Sequence, residues 1–369
     1  MTSLQELRAE LDAADEALLV AAAERLAITR RIGAFKAATR TGTFDRSREE
    51  VVLDRARKRS VDLGLPAATG AAVIQAVMEA GHTAQETVQH RPDDGPSVLI
   101  VGGKGAMGQW FARCLTSRGA TVDITDTDDP RDRAALVAAS DIVLLSVSMR
   151  AMEPVLHDVI PHMRPDALLC DINSLKANVC AGYAGAGCET LGLHPMFGPT
   201  TSSLRRQKVV VCRVNSGPRT GWMLNQLAAM GAELVEATPE DHDSMMALVQ
   251  VITHFRTIAT GITLARTGVS IVESLRYTSP IYRLEMSVIG RLFAQDPELY
   301  ASILFDNPDG DRVRHLLSEA TAELHTLIAG RDRDGFLALF KETATWFSDF
   351  AEQAQQESDR IIETLIREP

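Results

Sequence analysis

Two groups of residues in this sequence have types and spacing that suit chemistry. Gly103, Gly105 and Gly108 form a G-x-G-x-x-G pattern directly after the apolar run SVLIV (97–101), and Asp126 closes the next such run, ATVDIT (120–125). Between a strand and a helix, three glycines so spaced let the backbone approach a pyrophosphate at the helix N-terminus. A carboxylate about 20 positions on accepts the hydroxyls of the adenine ribose and repels a 2′-phosphate. The expected cofactor is therefore NAD rather than NADP, with Arg113 and Arg118 as neighbouring cations that pull the other way. The second group centres on His194 in LGLHPMFGP (191–199). A lone histidine among apolar residues is ordinarily a satisfied core side chain. At a strand end of a nucleotide fold, an imidazole with a pKa of about 6.5 is instead suited to take a proton at neutral pH.

The elements that must position these groups follow from periodicity. SVLIV, ATVDIT, DIVLLSV (141–147), ALLCDI (167–172), ETLGLH (189–194) and KVVVCR (208–213) are short β-branched runs alternating with helical segments, the pattern of a parallel α/β sheet. Upstream, apolar residues at Leu4, Leu7, Leu11, Leu18, Ala22, Leu26, Ile32 and Phe35 predict one long amphipathic helix over 4–38, opened by a capping box of Ser3 and Glu6. Ser47 and Glu50 repeat that pattern before a second helix running to about Leu63, and a third spans roughly Ala71 to His90 after the break GLPAATG (64–70). The first helix is too long for the other two to cover, which implies a partner chain. RPDDGPS (91–97) reads as a linker. From Thr238, with Pro239 in the first turn, the remainder reads as helix after helix.

Composition bounds the function. With 369 residues the chain is long enough for two or three domains, and 45% hydrophobic with 24% charged residues is the balance of a globular protein. A net charge of −11 argues against nucleic acid or an acidic membrane as a general partner, although a local arginine cluster can still bind an anion. The charged, periodic N-terminus lacks the apolar core of a signal peptide, and no uncharged apolar stretch has the length of a membrane span, so a cytoplasmic protein is expected. Cys114, Cys170, Cys180, Cys188 and Cys212 lie far apart in no metal-binding spacing and are expected to be free thiols, with no metal bound.

LGLHPMFGP resembles the histidine motif of prephenate dehydrogenases. The likeness continues through QVITHF (250–255), SPIYRLE (279–285) and IGRLFAQDPELYA (289–301), and the order of regions is similar to that of the bifunctional chorismate mutase/prephenate dehydrogenases. The fold this implies is an all-α (AroQ-type) chorismate mutase domain over 1–92, an α/β Rossmann domain over 97–238 and an all-helical substrate and dimerisation domain over 239–369. It also implies a homodimer with swapped mutase helices. In that family the histidine matching His194 is the catalytic base, and the arginine matching Arg291 binds the ring carboxylate. His254 and Arg283 match positions lining or supporting the same pocket, Lys176 matches a lysine near the nicotinamide end, and Ser146 falls where a serine approaches the substrate hydroxyl. Surface charge or helix salt bridges are the plain alternative for the cations.

The N-terminal region resembles the all-helical chorismate mutases, whose active-site pattern falls here on Arg8, Arg25, Lys36, Asp45, Arg48, Glu49 and Gln85. Arg25 and Lys36 lie on nearly one face of the long helix, about 16 Å apart along its axis, so both can reach one small dianion. Arg8 is about 25 Å from Arg25 and could contribute only from another chain crossing antiparallel. The rearrangement needs no acid or base. Chorismate must be held compact while charge builds on the ether oxygen, for Lys36 and Gln85 to stabilise. The alternative is a merely solvated arginine-rich helix.

Five positions depart from the family pattern: Gly81 replaces a substrate-holding serine, Ser148 a proline, and Thr200 with Thr201 an acidic and a small polar residue, while Asn173 stands where a small residue is common. The last four lie where the C4 substituent or the cofactor is sensed. They leave open the related chemistry on 4-amino-4-deoxyprephenate, alongside an inactive mutase region serving as a dimerising or regulatory module. Arogenate is disfavoured, because a fused mutase supplies prephenate directly.

Overall fold

The computed structural model describes residues 3–38, 46–86 and 95–367, with the backbone alone for 36–38, 46, 82–86 and 367. Residues up to Pro239 form one compact unit, and those from Glu240 form a second.

The first unit opens with α1 (Leu4–Ala38), α2 (Arg46–Asp62) and α3 (Ala67–Glu86). The capping box forms as expected: the Ser3 amide donates to Glu6 at 2.6 Å, and the Glu6 amide donates to Ser3 Oγ at 3.1 Å. At α2 the expectation needs correction. The helix begins at Arg46, which places Ser47 inside its first turn instead of ahead of it. α3 also starts earlier than its break suggests, because Pro66 ends the turn and Gly70 falls inside the helix. A Cβ at Gly70 would collide with the Ser60 hydroxyl and approach Ala56 O to 3.1 Å, so this glycine permits close contact with α2 rather than a turn. α3 packs against both α1 and α2. α1 nonetheless leaves Leu4, Leu11, Leu18 and Phe35 between 55% and 69% exposed. Residues 91–94 of the expected linker lie outside the described residues, as does His90.

The sheet follows: β1 (Ser97–Val101), α4 (Ala106–Ser117), β2 (Thr121–Thr125), α5 (Arg133–Ala139), β3 (Ile142–Leu145), α6 (Met149–Val159), β4 (Leu168–Asp171), α7 (Ala177–Gly182), β5 (Glu189–Pro195), β6 (Lys208–Asn215), α8 (Pro218–Ala229) and β7 (Glu233–Glu236). Its seven strands stand in the order β2-β1-β3-β4-β5-β6-β7. The first five are parallel. β6 runs antiparallel to β5, so the fully parallel sheet expected from the pattern becomes a mixed one. The reason is local: no helix separates β5 from β6, and without a crossover the chain can only turn back. β7, absent from the expectation, is short and only half-buried at the sheet edge.

Alternation along each strand divides the core into two layers. Val98 and Ile100 face Trp110, Phe111 and Leu115 of α4 and Met223 and Leu227 of α8. Leu99 and Val101 face Val137 of α5, Met152 and Leu156 of α6 and Val179 of α7. With β1 between β2 and β3, the strand ends of β1 and β3 flank the point where the winding reverses, the place where such sheets bind ligands.

The second unit is helical: α9 (Pro239–Met246), a π-helical segment (Ala247–Ile252), α10 (Thr253–Thr267), α11 (Ile271–Leu275), α12 (Pro280–Phe293), α13 (Pro297–Asp306), α14 (Gly310–Ala329), α15 (Arg333–Phe347) and α16 (Phe350–Arg367). α9, the π segment and α10 run as one helix of 29 residues, long and apolar enough by composition to cross a membrane. Ser270, Ser279 and Asp296 cap α11, α12 and α13.

Candidate active sites

The glycine run at the end of β1 is shaped by contacts that exclude side chains. A Cβ at Gly103 would meet Ile124 Cβ at 2.5 Å, and one at Gly108 would meet Gly102 O at 2.7 Å and Gly103 Cα at 2.8 Å. Gly105 is different, with only Gly102 O at 3.3 Å, so its Cα faces open space at the N-cap of α4. No side chain caps that helix, which leaves its first amides directed outward. Gly102, outside the motif, supplies the left-handed turn at φ 77 and packs on the backbone of Ser146 at the end of β3. Sequence spacing could not single it out, because the motif rule counts from the next glycine. Asp126 follows β2 and accepts from the amide of Thr127 at 2.9 Å and that of Lys104 at 3.3 Å, which fixes its carboxylate beside the glycine turn. An anion cradle with an acidic residue at its far side is the form a dinucleotide requires.

His194 lies in β5, 3% exposed, opposite Val210 of β6. The segment after it is tied to α4. The Trp110 indole donates to Thr201 O at 2.7 Å, and its ring lies 5.1 Å from that of Phe197. The helix at the nucleotide cradle thus also holds the loop that follows the histidine, a link no spacing reveals.

Ser146 is half-buried just past β3, with its amide bonded to Val101 O at 2.8 Å. Asn173, 8% exposed just past β4, donates its amide hydrogen to Asp171 at 2.8 Å, while its side-chain nitrogen is buried with no protein acceptor. A buried donor without a protein acceptor is satisfied by a bound group or an ordered water. Lys176 departs from expectation. Its side chain is wholly enclosed and ion-paired with Asp171, which also accepts from the Tyr183 hydroxyl at 2.6 Å. This is an internal network beneath the strand ends, not a cation open to a ligand. Burial and the Asp171 charge push the Tyr183 phenol well up, which keeps it a donor. Ser148 is exposed at the N-cap of α6, and Thr200 is exposed after the histidine loop.

In the helical N-terminal region, α1, α2 and α3 line an open cavity of about 760 Å³. Arg25, Arg48 and Glu49 line it, together with Thr29, Arg55 and Arg59, which the sequence pattern had not singled out. Arg55 and Arg59 follow Arg48 by about two and three helical turns, so a search for cations on that face would have found them. Arg8 is exposed and absent from the lining, consistent with its distance along α1. Asp45 lies outside the described residues, and for Lys36 and Gln85 only the helical backbone is described. At Gly81, a Cβ would meet Thr29 Cγ2 at 2.9 Å, so Thr29 fills the space a serine would need.

In the second unit His254 opens α10 with its ring edge-on to Tyr300, centroids 5.0 Å apart. Burial lowers the His254 pKa and keeps the imidazole neutral, and the same cause raises Tyr300. The Arg291 charge works against that rise at Tyr300. Arg283, one turn from the start of α12, is exposed.

Three family models match in series: chorismate mutase type II over residues 7–86, the nucleotide-binding domain of prephenate dehydrogenase over 113–235, and its dimerization domain over 238–342. The chain is 32% identical to the T-protein of Haemophilus influenzae over 98% of its length and 97% of that protein. It is 34% identical to the T-protein of Enterobacter agglomerans, covering 98% of each. The chain belongs to the bifunctional chorismate mutase/prephenate dehydrogenase (T-protein) family. A 4-amino-4-deoxyprephenate dehydrogenase of Streptomyces pristinaespiralis is 30% identical but aligns with 66% of the chain. Among solved structures, the prephenate dehydrogenase of A. aeolicus in complex with hydroxyphenyl propionate and NAD+ superposes with a TM-score of 0.54 at 19% identity, covering 69% of this chain and 98% of that one. That likeness concerns fold. The cavity among α1–α3 falls within the residues matched by the chorismate mutase model, and the His194 strand within those matched by the nucleotide-binding domain.

Proposed function

We propose that this enzyme rearranges chorismate to prephenate in residues 1–92 and oxidatively decarboxylates prephenate to 4-hydroxyphenylpyruvate with residues 97–238 and 239–369, in tyrosine biosynthesis. The observation that carries this reading is the presence in one chain of a cavity lined by Arg25, Arg48 and Glu49 and of a nucleotide cradle followed by the buried His194. The T-protein match spans both, whereas the 4-amino-4-deoxyprephenate enzyme matches two thirds of the chain.

In the mutase half Arg25, Lys36, Arg48 and Gln85 hold chorismate in its compact form, with Asp45 and Glu49 in the same site. No proton moves, so preorganised charge does the work. Arg8 joins from the second chain. In the dehydrogenase half Gly103, Gly105 and Gly108 hold the pyrophosphate of NAD and Asp126 its ribose. Bound NAD supplies the hydride acceptor. His194 takes the proton of the C4 hydroxyl as the C4 hydrogen departs, and loss of the ring carboxylate as carbon dioxide leaves an aromatic ring. Arg291 binds the ring carboxylate, His254 and Arg283 support the substrate, and Ser146 bonds the C4 hydroxyl. Lys176 acts, in its buried pair, on the shape of the strand ends.

A cytoplasmic homodimer completes the proposal. The apolar residues that α1 leaves exposed, and the long apolar helix within the region matched by the dimerization domain, are surfaces that a second copy covers. The test is NADH formation from prephenate, from chorismate, and from 4-amino-4-deoxyprephenate. Turnover of the first two, lost in His194→Asn for both, supports the reading. Preference for the amino compound overturns the substrate assignment, and no turnover of any overturns the function.

A further inference from the structure

Glu49 stands in the wall of the mutase cavity, and its carboxylate is held from outside the mutase half. Its Oε2 accepts from Arg205 Nη2 at 2.5 Å, with the two side chains 11% and 18% exposed. Arg205 belongs to the segment between β5 and β6, the one that begins with the histidine loop. That segment is firmly shaped. The Arg205 amide donates to Ser203 Oγ at 3.2 Å, and Arg206 adopts the left-handed region at φ 59 with its amide bonded to Gly231 O at 3.0 Å. Gly231 is itself left-handed at φ 92, and a Cβ there would press on Arg205 Cγ at 3.0 Å. Glu49 also borders a second cavity of about 450 Å³, whose walls include Gln75 and Glu79 of α3 and residues 200–203 and 205–207 of the dehydrogenase half. One glutamate thus forms part of two cavities, with a guanidinium from a rigid loop fixing one of its oxygens.

From this geometry we infer that Arg205 is a positioning residue for the mutase reaction: from the dehydrogenase half, it holds the Glu49 carboxylate in the orientation the mutase cavity needs. The inference rests on reading residues 1–92 as a chorismate mutase. A glutamate side chain has three rotatable bonds, and a site that works only by preorganised charge loses rate when one charge wanders. A buried carboxylate is held best by a charge-assisted bond to a planar guanidinium, whose fork fixes direction as well as distance. Lysine keeps the charge without the fork. The fusion of the two enzymes then has a structural consequence, since a loop of one completes the electrostatics of the other.

The test uses the full-length enzyme and follows both reactions in each sample. Variants Arg205→Gln and Arg205→Met should lower mutase kcat about tenfold or more, with a smaller change in KM for chorismate. Their dehydrogenase kcat/KM with prephenate should stay within about twofold of the parent, a factor worth less than about 0.5 kcal/mol. Arg205→Lys should recover part of the mutase loss. In a Glu49→Gln background the further loss on Arg205→Gln should vanish, because the two residues act as one unit. Whichever of the Gln and Met variants retains dehydrogenase turnover decides the matter. Mutase kcat within twofold of the parent, or an equal loss with Glu49→Gln already present, overturns the inference. A parent enzyme with no mutase activity would instead overturn the functional reading beneath it.

Discussion

His194 and Lys176 show how differently two polar residues at neighbouring strand ends behave. His194 is buried in β5 beside a loop that Trp110 anchors, and as the proposed base its replacement by Asn should cost about 10²–10⁴ in dehydrogenase kcat, with chorismate consumption intact. Lys176 is enclosed with Asp171, so Lys176→Met should act through stability. Removing one partner of a buried pair costs about 3–5 kcal/mol, to be read as a lower urea midpoint. His254 gives a pH signature. Its folded pKa is lowered by burial, so the unfolded chain binds the proton more readily, and stability is full above the ordinary histidine value and falls as pH drops through the lowered one. Unfolding midpoints measured from neutral pH to about pH 5 should decline, and decline less steeply in His254→Gln.

The glycine turn is an element-scale device in which the three motif positions differ. Gly103→Ala and Gly108→Ala force a Cβ onto Ile124 or onto the backbone of Gly102 and Gly103, and should lower thermal stability as well as NAD binding. Gly105→Ala meets little in its own chain and should fold normally while weakening NAD. Melting curves with and without NAD separate the two behaviours. Asp126→Ser should raise NADP use relative to NAD, because the carboxylate fixed beside the turn would repel a 2′-phosphate.

For the whole molecule, the distance of Arg8 from the cavity of its own chain is decisive. If it serves a second chain, Arg8→Ala and Arg25→Ala proteins should each lack mutase activity, and unfolding and refolding them together should restore part of it through mixed dimers. No recovery would remove Arg8 from the site. The same dimer should appear at twice the chain mass in gel filtration at micromolar concentration.

Local pattern was enough for the long first helix and its capping box, six of the seven strands, the glycine turn followed by Asp126, and the order of a helical region, an α/β region and a second helical region. Periodicity of 2 or 3.6 and glycine spacing are properties of neighbouring residues, so the sequence alone determines them. Direction and partnership are not local. That β6 turns back on β5, that Lys176 meets Asp171, that Thr29 occupies the room beside Gly81 and that Trp110 pins the histidine loop depend on residues brought together by the sheet and the helix packing. The Glu49–Arg205 pair is the extreme case, joining residues 156 positions apart. Which of many arginines a glutamate meets depends on the placement of whole elements, and tertiary structure alone decides it.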